Sequence, residues 1–209
     1  MSEPRPSRSR RAGGSRRTAV LDQVIATLAD RGYGGTRYTD VAAASGVAVS
    51  TLQGYFGSRE DMLIEAFDRA TSIAVDAMNE FAAQFEDPWE QLVAMVDRGL
   101  ATDVATWRML MEFWTAAAHD VELQQHAATL AEQYRKPFVD AVRRGIDAGD
   151  FRPRFGSGAI IEVVVANIVG LLYPVVLEHL APTDVDYREV VLAQLAFVLN
   201  TSEHNPTDV

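Results

Sequence analysis

Residues 49–56 carry side chains that are suited to reading base pairs. In a helix over this stretch, Leu52 and Phe56 lie four apart on one face, which we expect to be buried. The opposite face then presents hydroxyl, amide and phenol groups around a glycine, from Ser50, Thr51, Gln53, Gly54 and Tyr55. The Gln53 amide can form two hydrogen bonds with an adenine edge in the major groove. We therefore predict that this helix reads bases.

Two helices before this segment must hold it in place. A helix over 18–31 is predicted from apolar residues at helical spacing, namely Val20, Leu21, Val24, Ile25 and Leu28. Gly32 ends this helix, Thr36 is a suitable N-cap for the next, and Gly46 stops that second helix at a sharp turn. Two short helices joined by a glycine turn predict a helix-turn-helix DNA reader at about 37–56.

The distribution of charge separates the two ends of the chain. The formal net charge is −10, yet residues 1–69 carry ten Lys and Arg against eight Asp and Glu. Residues 70–209 carry nine against twenty-one and form an acidic body. Residues 1–17 hold six arginines and one acidic residue, which predicts a disordered basic arm. The arm either lies on DNA phosphates or in a minor groove, or is a solvated tail without a specific role.

The sequence offers no pattern for catalysis or metal binding. It has no cysteine, which excludes a disulfide scaffold, a thiolate metal site and a cysteine nucleophile. His119 and His126 are seven residues apart, with no cysteine to complete a metal site. No nucleophile elbow, phosphate loop or dinucleotide fingerprint occurs. We therefore predict a protein that is not an enzyme, with no catalytic residues, no metal and no cofactor.

A secretory signal and a membrane span are both disfavoured. The segment that follows the first arginine pairs contains Asp22 and Asp30, so it lacks the apolar core of a signal peptide. The apolar run between Glu162 and Glu178 is shorter than the ~18–20 residues that a membrane span needs. We expect a cytoplasmic protein that does not enter a membrane.

The remaining chain is predicted to be helical. Ser58 caps a fourth helix that continues past Phe67, and further helices are predicted at 87–101, 103–118, 120–148, 157–180 and 187–200. The helix at 157–180 is apolar nearly all round, so it must be covered on more than one side. It forms a four-helix interface with 187–200 and a second copy, or lies in the core of a monomer. The predicted fold class is all-α, with about nine helices.

Several short motifs occur in order near the amino terminus. They are Gly-Tyr-x-x-Thr, Asp-Val-Ala-x-x-x-Gly-Val, Thr-Leu, Tyr-Phe and Ser-Arg-Glu-x-Met-Leu, at 32–36, 40–47, 51–52, 55–56 and 58–63. This order and spacing resemble the tetracycline-repressor (TetR) family over residues 18–67. The resemblance implies a DNA-binding domain over 18–67 and a ligand-binding and dimerisation domain over 68–209.

The resemblance also implies function and partners. It implies a ligand-responsive transcriptional regulator, in most cases a repressor, that binds a palindromic double-stranded DNA operator. A homodimer would form through 157–180 and 187–200, and an unknown small-molecule effector would release the DNA. Gln53 and Gly54 depart from the family's pattern. They keep open an alternative, a ligand-binding or interaction protein whose DNA reader has lapsed.

The predicted site residues fall into two groups. DNA contacts are predicted for Thr36, Arg37, Thr39, Ala48, Val49, Ser50, Thr51, Gln53, Gly54, Tyr55 and Arg59. Gln53 replaces a frequent aromatic and is predicted to read a base, whereas Arg59 replaces the usual lysine and is predicted to contact phosphate. The candidate effector residues are Trp107, Met111, Glu112, Trp114, Tyr134, Phe138 and Tyr173. Their aromatic rings, in an acidic body, permit a cationic ligand.

Overall fold

The protein is all-helical in a computed structural model that describes residues 8–177 and 186–201. Within these residues there are nine helices: α1 (Arg8–Gly35), α2 (Tyr38–Ser45), α3 (Val49–Phe56), α4 (Arg59–Ala82), α5 (Pro88–Leu100), α6 (Val104–Ala117), α7 (Val121–Ala148), α8 (Ser157–Val176) and α9 (Tyr187–Leu199). This confirms the predicted all-α fold. None of the helices in the described ranges has the length and apolar character needed to cross a bilayer.

The chain forms two compact units, and the first is discontinuous. Unit 1 contains Met1–Ala70 and Arg108–Ala127, and unit 2 contains Thr71–Trp107 and Ala128–Val209. The predicted boundary at 67/68 differs from this division, because part of α6 and the start of α7 belong to unit 1. The ring of Phe113 on α6 lies 4.1 Å from that of Phe67 on α4, centroid to centroid.

Helix α1 starts earlier than the sequence indicated. Residues 8–17 were predicted to be part of a disordered arm, but the helix begins at Arg8. The prediction was wrong for these residues, since arginine is a good helix former and Arg17 has partners on other helices. The prediction for residues 1–7 falls outside the described residues.

The three-helix core of unit 1 follows the predicted pattern. The side chains of Leu28, Val41 and Leu52 are completely buried, and those of Val20 and Phe56 are nearly so. Burial of each such side chain contributes about 1.5–3 kcal/mol relative to exposure. This core fixes which face of α3 points outward.

Gly32 makes a bend inside α1, three residues before this helix ends at Gly35. Its φ of 71° lies in the left-handed region that favours glycine. A Cβ at this position would also overlap the Glu112 carboxylate, which accepts a hydrogen bond from the Tyr33 N–H. The bend therefore depends on glycine for two separate reasons.

Thr36 supports this bend rather than capping α2, so its predicted role was wrong. Its buried hydroxyl donates to the Gly32 carbonyl at 2.8 Å. The N-cap of α2 is Arg37, whose N–H donates to the Asp40 carboxylate at 3.0 Å. Ser58 does cap α4 as predicted, because its hydroxyl accepts from the Asp61 N–H at 2.9 Å. The hydrogen bond from the Ser58 hydroxyl lowers the pKa of Asp61.

Arg59 fastens the start of α4 to the last residues of α1 and to the connection between α1 and α2. Its Nε donates to the Thr36 carbonyl at 2.7 Å, and its Nη2 donates to the Tyr33 carbonyl. Its guanidinium carbon also lies 5.1 Å from the centroid of the Tyr33 ring, a cation–π contact. One side chain thus satisfies two carbonyls at the bend.

Unit 2 is a helical bundle in which α5 packs against α8 and α9. Its core contains completely or almost completely buried side chains from α5, α7, α8 and α9, including Leu92, Met95, Phe138, Ile161 and Leu195. On α8 and α9, in contrast, several large apolar side chains are exposed, namely Val163 (60%), Tyr173 (52%), Val190 (46%) and Phe197 (72%). This unit therefore has an apolar outer face in addition to its core.

Replacing Arg59 by alanine is expected to destabilise the protein by about 2 kcal/mol, because two carbonyls lose a charged donor. Urea unfolding of the purified protein measures the change. Arg31→Ala is the matched control, since Arg31 has an exposed guanidinium that pairs with Asp30 and Asp40 and its loss should cost less than about 1 kcal/mol. Equal losses for the two variants would contradict the structural role of Arg59.

Candidate DNA-binding surface

Helix α3 presents a polar face that is free of core contacts. Ser50, Thr51, Gln53 and Gly54 are exposed, whereas Val49 and Tyr55 are half-buried. No atom lies within 4 Å of a Cβ built on Gly54. An outside group such as a DNA edge can therefore approach the α3 backbone closely at this point.

The turn before α3 sets the direction of that face. Gly46 has a φ of 67°, and its N–H donates to the Ala42 carbonyl at 3.0 Å, which ends α2. Val47 is buried in the turn. At the other end of α3, the Tyr38 hydroxyl of α2 donates to the Gly57 carbonyl at 3.2 Å. Helix α2 therefore has a hydrogen bond to the turn before α3 and another to the residue that follows α3.

Most of the residues predicted to contact DNA have exposed side chains in unit 1. Arg37, Thr39 and Ala48 are exposed, as are four residues of α3. Arg37 follows the bend, and Thr39 lies in the first turn of α2. The DNA contacts of Arg37, Thr39 and Ala48 therefore stay predictions.

Two residues that were predicted to contact DNA make hydrogen bonds within unit 1. Thr36 is fully buried and bonded within the protein, so its side chain is not available to DNA. The Arg59 guanidinium donates to the Thr36 and Tyr33 carbonyls and to the Glu60 carboxylate. These three hydrogen bonds give Arg59 a role inside unit 1, and its phosphate contact stays a prediction for its remaining N–H donors.

Two residues with roles in this surface were missed by the sequence analysis. The sequence did not indicate a role for Tyr38, whose hydroxyl donates to the Gly57 carbonyl after the end of α3. Arg17 was assigned to the arm, although it contacts Tyr55, Phe56 and Glu65. A helical spacing of three and four from Arg17 to Val20 and Leu21, both buried, was the available signal.

The candidate effector residues are divided between the two units. Met111, Glu112 and Trp114 belong to unit 1, and Trp107, Tyr134, Phe138 and Tyr173 belong to unit 2. The Glu112 carboxylate accepts from the Tyr33 N–H, which does not fit its predicted role as a ligand anchor. Trp114 and Tyr173 are exposed.

Tyr134 and Phe138 are the candidates that the structure brings together. Their ring centroids on α7 lie 5.9 Å apart. Gly99 on α5 allows the Tyr134 hydroxyl to approach, because a Cβ there would stand 3.0 Å from it. Burial raises the pKa of Tyr134, against a smaller opposing effect of the Arg98 charge. This phenol therefore stays neutral and able to donate a hydrogen bond at physiological pH.

Comparisons with known families match nearly the whole described chain. Residues 20–66 match the tetR family of bacterial regulatory proteins. Residues 88–200 match the C-terminal region of BetI-type transcriptional repressors, and this match alone spans more than half of the 209 residues.

Individual relatives are more distant. The transcriptional repressor KstR2 of Mycobacterium tuberculosis is 26% identical over 154 residues, which are 66% of this chain and 70% of that protein. A transcriptional regulator from Saccharomonospora viridis in complex with choline superimposes with a TM-score of 0.73 at 22% identity, over 90% of this chain and 96% of the other.

The regulator FadR from Bacillus subtilis, in complex with stearoyl-CoA, has a TM-score of 0.69 at 18% identity, over 87% of this chain and 97% of the other. At these identities the two structures establish the shared fold. The matched regions identify this chain as a transcriptional repressor protein: it belongs to the tetR family of bacterial regulators and has a C-terminal region of the BetI type.

Proposed function

We propose that this protein represses transcription in the cytoplasm by binding a palindromic operator as a homodimer. The observation that supports this proposal most directly is the outward face of α3, on which Ser50, Thr51, Gln53 and Gly54 are exposed. Small and amide side chains on a helix of this size suit the major groove, where amides discriminate adenine from other bases.

The apolar face of α8 and α9 supports the homodimer. A monomer would expose Val163, Tyr173, Val190 and Phe197 together on two neighbouring helices, which is unusual for a surface without a partner. A groove of about 270 Å³ on this face is lined by residues of both helices and by Phe155. Four helices, two from each copy, would cover this apolar surface.

A polar pair on the same face suits pairing with an identical surface. The Asn167 side-chain amide donates to the Gln194 side-chain oxygen at 2.9 Å. Each of these amides keeps further hydrogen-bonding capacity, as donor and as acceptor, that a second copy can satisfy. A two-fold arrangement would place two reading helices about 34–36 Å apart, one DNA turn, and so requires a palindrome.

We further propose that a small cationic molecule is the effector and acts through unit 2. The aromatic pair of Tyr134 and Phe138, with Trp107 in the same unit, would offer ring faces to a cation. The choline found in the Saccharomonospora viridis regulator is a cation of this kind. The stearoyl-CoA in FadR represents the competing class, a long acyl ligand.

The alternative of a lapsed DNA reader predicts a different behaviour. Such a protein would show only weak binding that falls uniformly with salt, because phosphate attraction carries no sequence information. Selection of genomic fragments by the purified protein at two salt concentrations separates the two functions. A single palindromic motif that survives the higher salt supports the repressor, and the absence of any motif supports the alternative.

Gln53→Ala is expected to weaken binding to the selected operator by about 1–3 kcal/mol and to relax preference at one base pair. Electrophoretic mobility shift with single-base operator variants measures both effects. Gln23→Ala, an exposed glutamine on α1 of the same unit, is the matched control. A uniform loss on all sequences would show that Gln53 is not a base reader.

Phe197→Glu is expected to convert the dimer to a monomer, because two buried charges would face each other across the two-fold axis. Analytical ultracentrifugation measures the mass, and operator affinity should fall at the same time. Ile73→Glu changes another exposed apolar residue, on α4, and should leave the mass unchanged. A Phe197→Glu dimer would place the interface elsewhere.

Choline at saturating concentration is expected to lower operator affinity by roughly 5- to 150-fold, the usual range of coupling between two sites. Fluorescence anisotropy of labelled operator DNA measures this, with potassium chloride at equal ionic strength as the control for screening. Tyr134→Leu should reduce the response. A response to stearoyl-CoA, with none to choline, would assign the effector to the acyl class.

A further inference from the structure

Arg17 lies at the meeting point of three helices in unit 1. From α1, its Nη2 lies 2.5 Å from both carboxylate oxygens of Glu65 on α4. Its Nε points at the Tyr55 carbonyl near the end of α3, at 3.4 Å. Its guanidinium carbon lies 4.9 Å from the centroid of the Phe56 ring. A single cation therefore joins α1, α3 and α4.

The helix that Arg17 contacts is weak by itself. Helix α3 has eight residues, with no basic residue in its last turn. Helices this short are marginal in water, and a glycine inside a helix costs about 1 kcal/mol relative to alanine. Gly54 occupies such a position two residues before the end of α3. The reading helix therefore needs support from outside its own sequence.

The end of α3 shows which support is present. The Gly57 N–H donates to the Gln53 carbonyl at 2.8 Å, and the Tyr38 hydroxyl reaches the Gly57 carbonyl. The Tyr55 carbonyl faces Arg17 at a distance that is long for a hydrogen bond. The attraction is therefore mainly that of a cation for the negative end of a helix.

We propose that Arg17 is a positioning residue for sequence recognition. It holds the carboxy-terminal end of α3 in helical form, so that Thr51 and Gln53 keep a fixed position relative to the base edges. It does this without contacting DNA, since Glu65 neutralises its charge. This inference rests on the proposed DNA-binding function. It also relates Arg17 to Gly54, because Arg17 offsets the helix stability that is lost with a glycine at position 54.

The chain supplies a matched control for this role. Arg69 on α4 pairs with Asp22 on α1 at 2.7 Å, so it joins the same two helices as Arg17 and Glu65. Arg69 has no described contact with α3. Arg17→Ala and Arg69→Ala therefore remove comparable ion pairs, and only the first removes support from the reading helix.

The binding experiment compares these variants on operator DNA and on random DNA over a range of salt. Arg17→Ala is expected to lower the ratio of operator to random affinity about tenfold, a change of about 1.4 kcal/mol. Its salt dependence should match that of the wild type, and Arg69→Ala should leave the ratio unchanged. A salt slope reduced by about one unit, with the ratio kept, would make Arg17 a phosphate ligand and overturn the proposal.

The second experiment tests the link to Gly54. Gly54→Ala strengthens the helix directly, so hydrogen exchange in the absence of DNA should show that it restores most of the amide protection that Arg17→Ala removes at the end of α3. Arg17→Lys keeps the positive charge but loses the planar guanidinium. Its amide protection at the end of α3 should lie between that of the wild type and that of Arg17→Ala. No gain in amide protection from Gly54→Ala in the Arg17→Ala background would contradict the proposal.

Hydrogen exchange tests the same inference without DNA. The amides of Phe56 and Gly57 should exchange about tenfold faster in Arg17→Ala than in Arg69→Ala, because the end of α3 opens more often. Equal exchange in the two variants would overturn the positioning role. If Arg17→Ala exchanges faster but the wild-type protein selects no operator, Arg17 still stabilises α3. The proposed DNA-binding function would then be rejected.

Discussion

The geometry of the DNA-binding unit depends on the guanidinium of Arg59 at the Gly32 bend. Gly32 bends the chain inside α1 close to its end, and the last carbonyls of a helix need partners from outside that helix. Arg59 satisfies two of them, at Tyr33 and Thr36, while the Thr36 hydroxyl satisfies the carbonyl of Gly32 itself. The direction in which α2 leaves the bend, and with it the exposed face of α3, follows from these bonds.

Cations at helix ends are a recurring device in unit 1. Arg59 acts at the end of α1, and Arg17 acts at the end of α3. In each case the basic residue comes from a different helix than the carbonyl it contacts. Such contacts tie short helices together where their apolar surface is too small to fix their orientation. Arg37, in contrast, is exposed and is predicted to contact DNA.

Periodicity and glycine placement predicted most of the fold. The buried pair Leu52 and Phe56 identified the outward face of α3, and Gly32 and Gly46 both have the left-handed φ expected at helix ends. The partners of Thr36, Arg17, Arg59 and Glu112 could not be predicted. A polar side chain can form the same hydrogen bond with a nearby backbone group or with a distant one. For Arg59, Glu112 and Arg17 the partner lies 23 or more residues away in the chain. Only the tertiary arrangement decides between them.

The discontinuity of unit 1 affects how the protein can be recombined with its relatives. Phe113 packs on Phe67, and Glu112 accepts from the Tyr33 N–H, so part of α6 is integral to the DNA-binding unit. A chimera made by a single crossover after residue 70 would transfer the reading helix but leave Arg108–Ala127 behind. In this protein, a transplantable operator-reading module consists of two segments of the chain, and α6 must be inherited together with the helix-turn-helix.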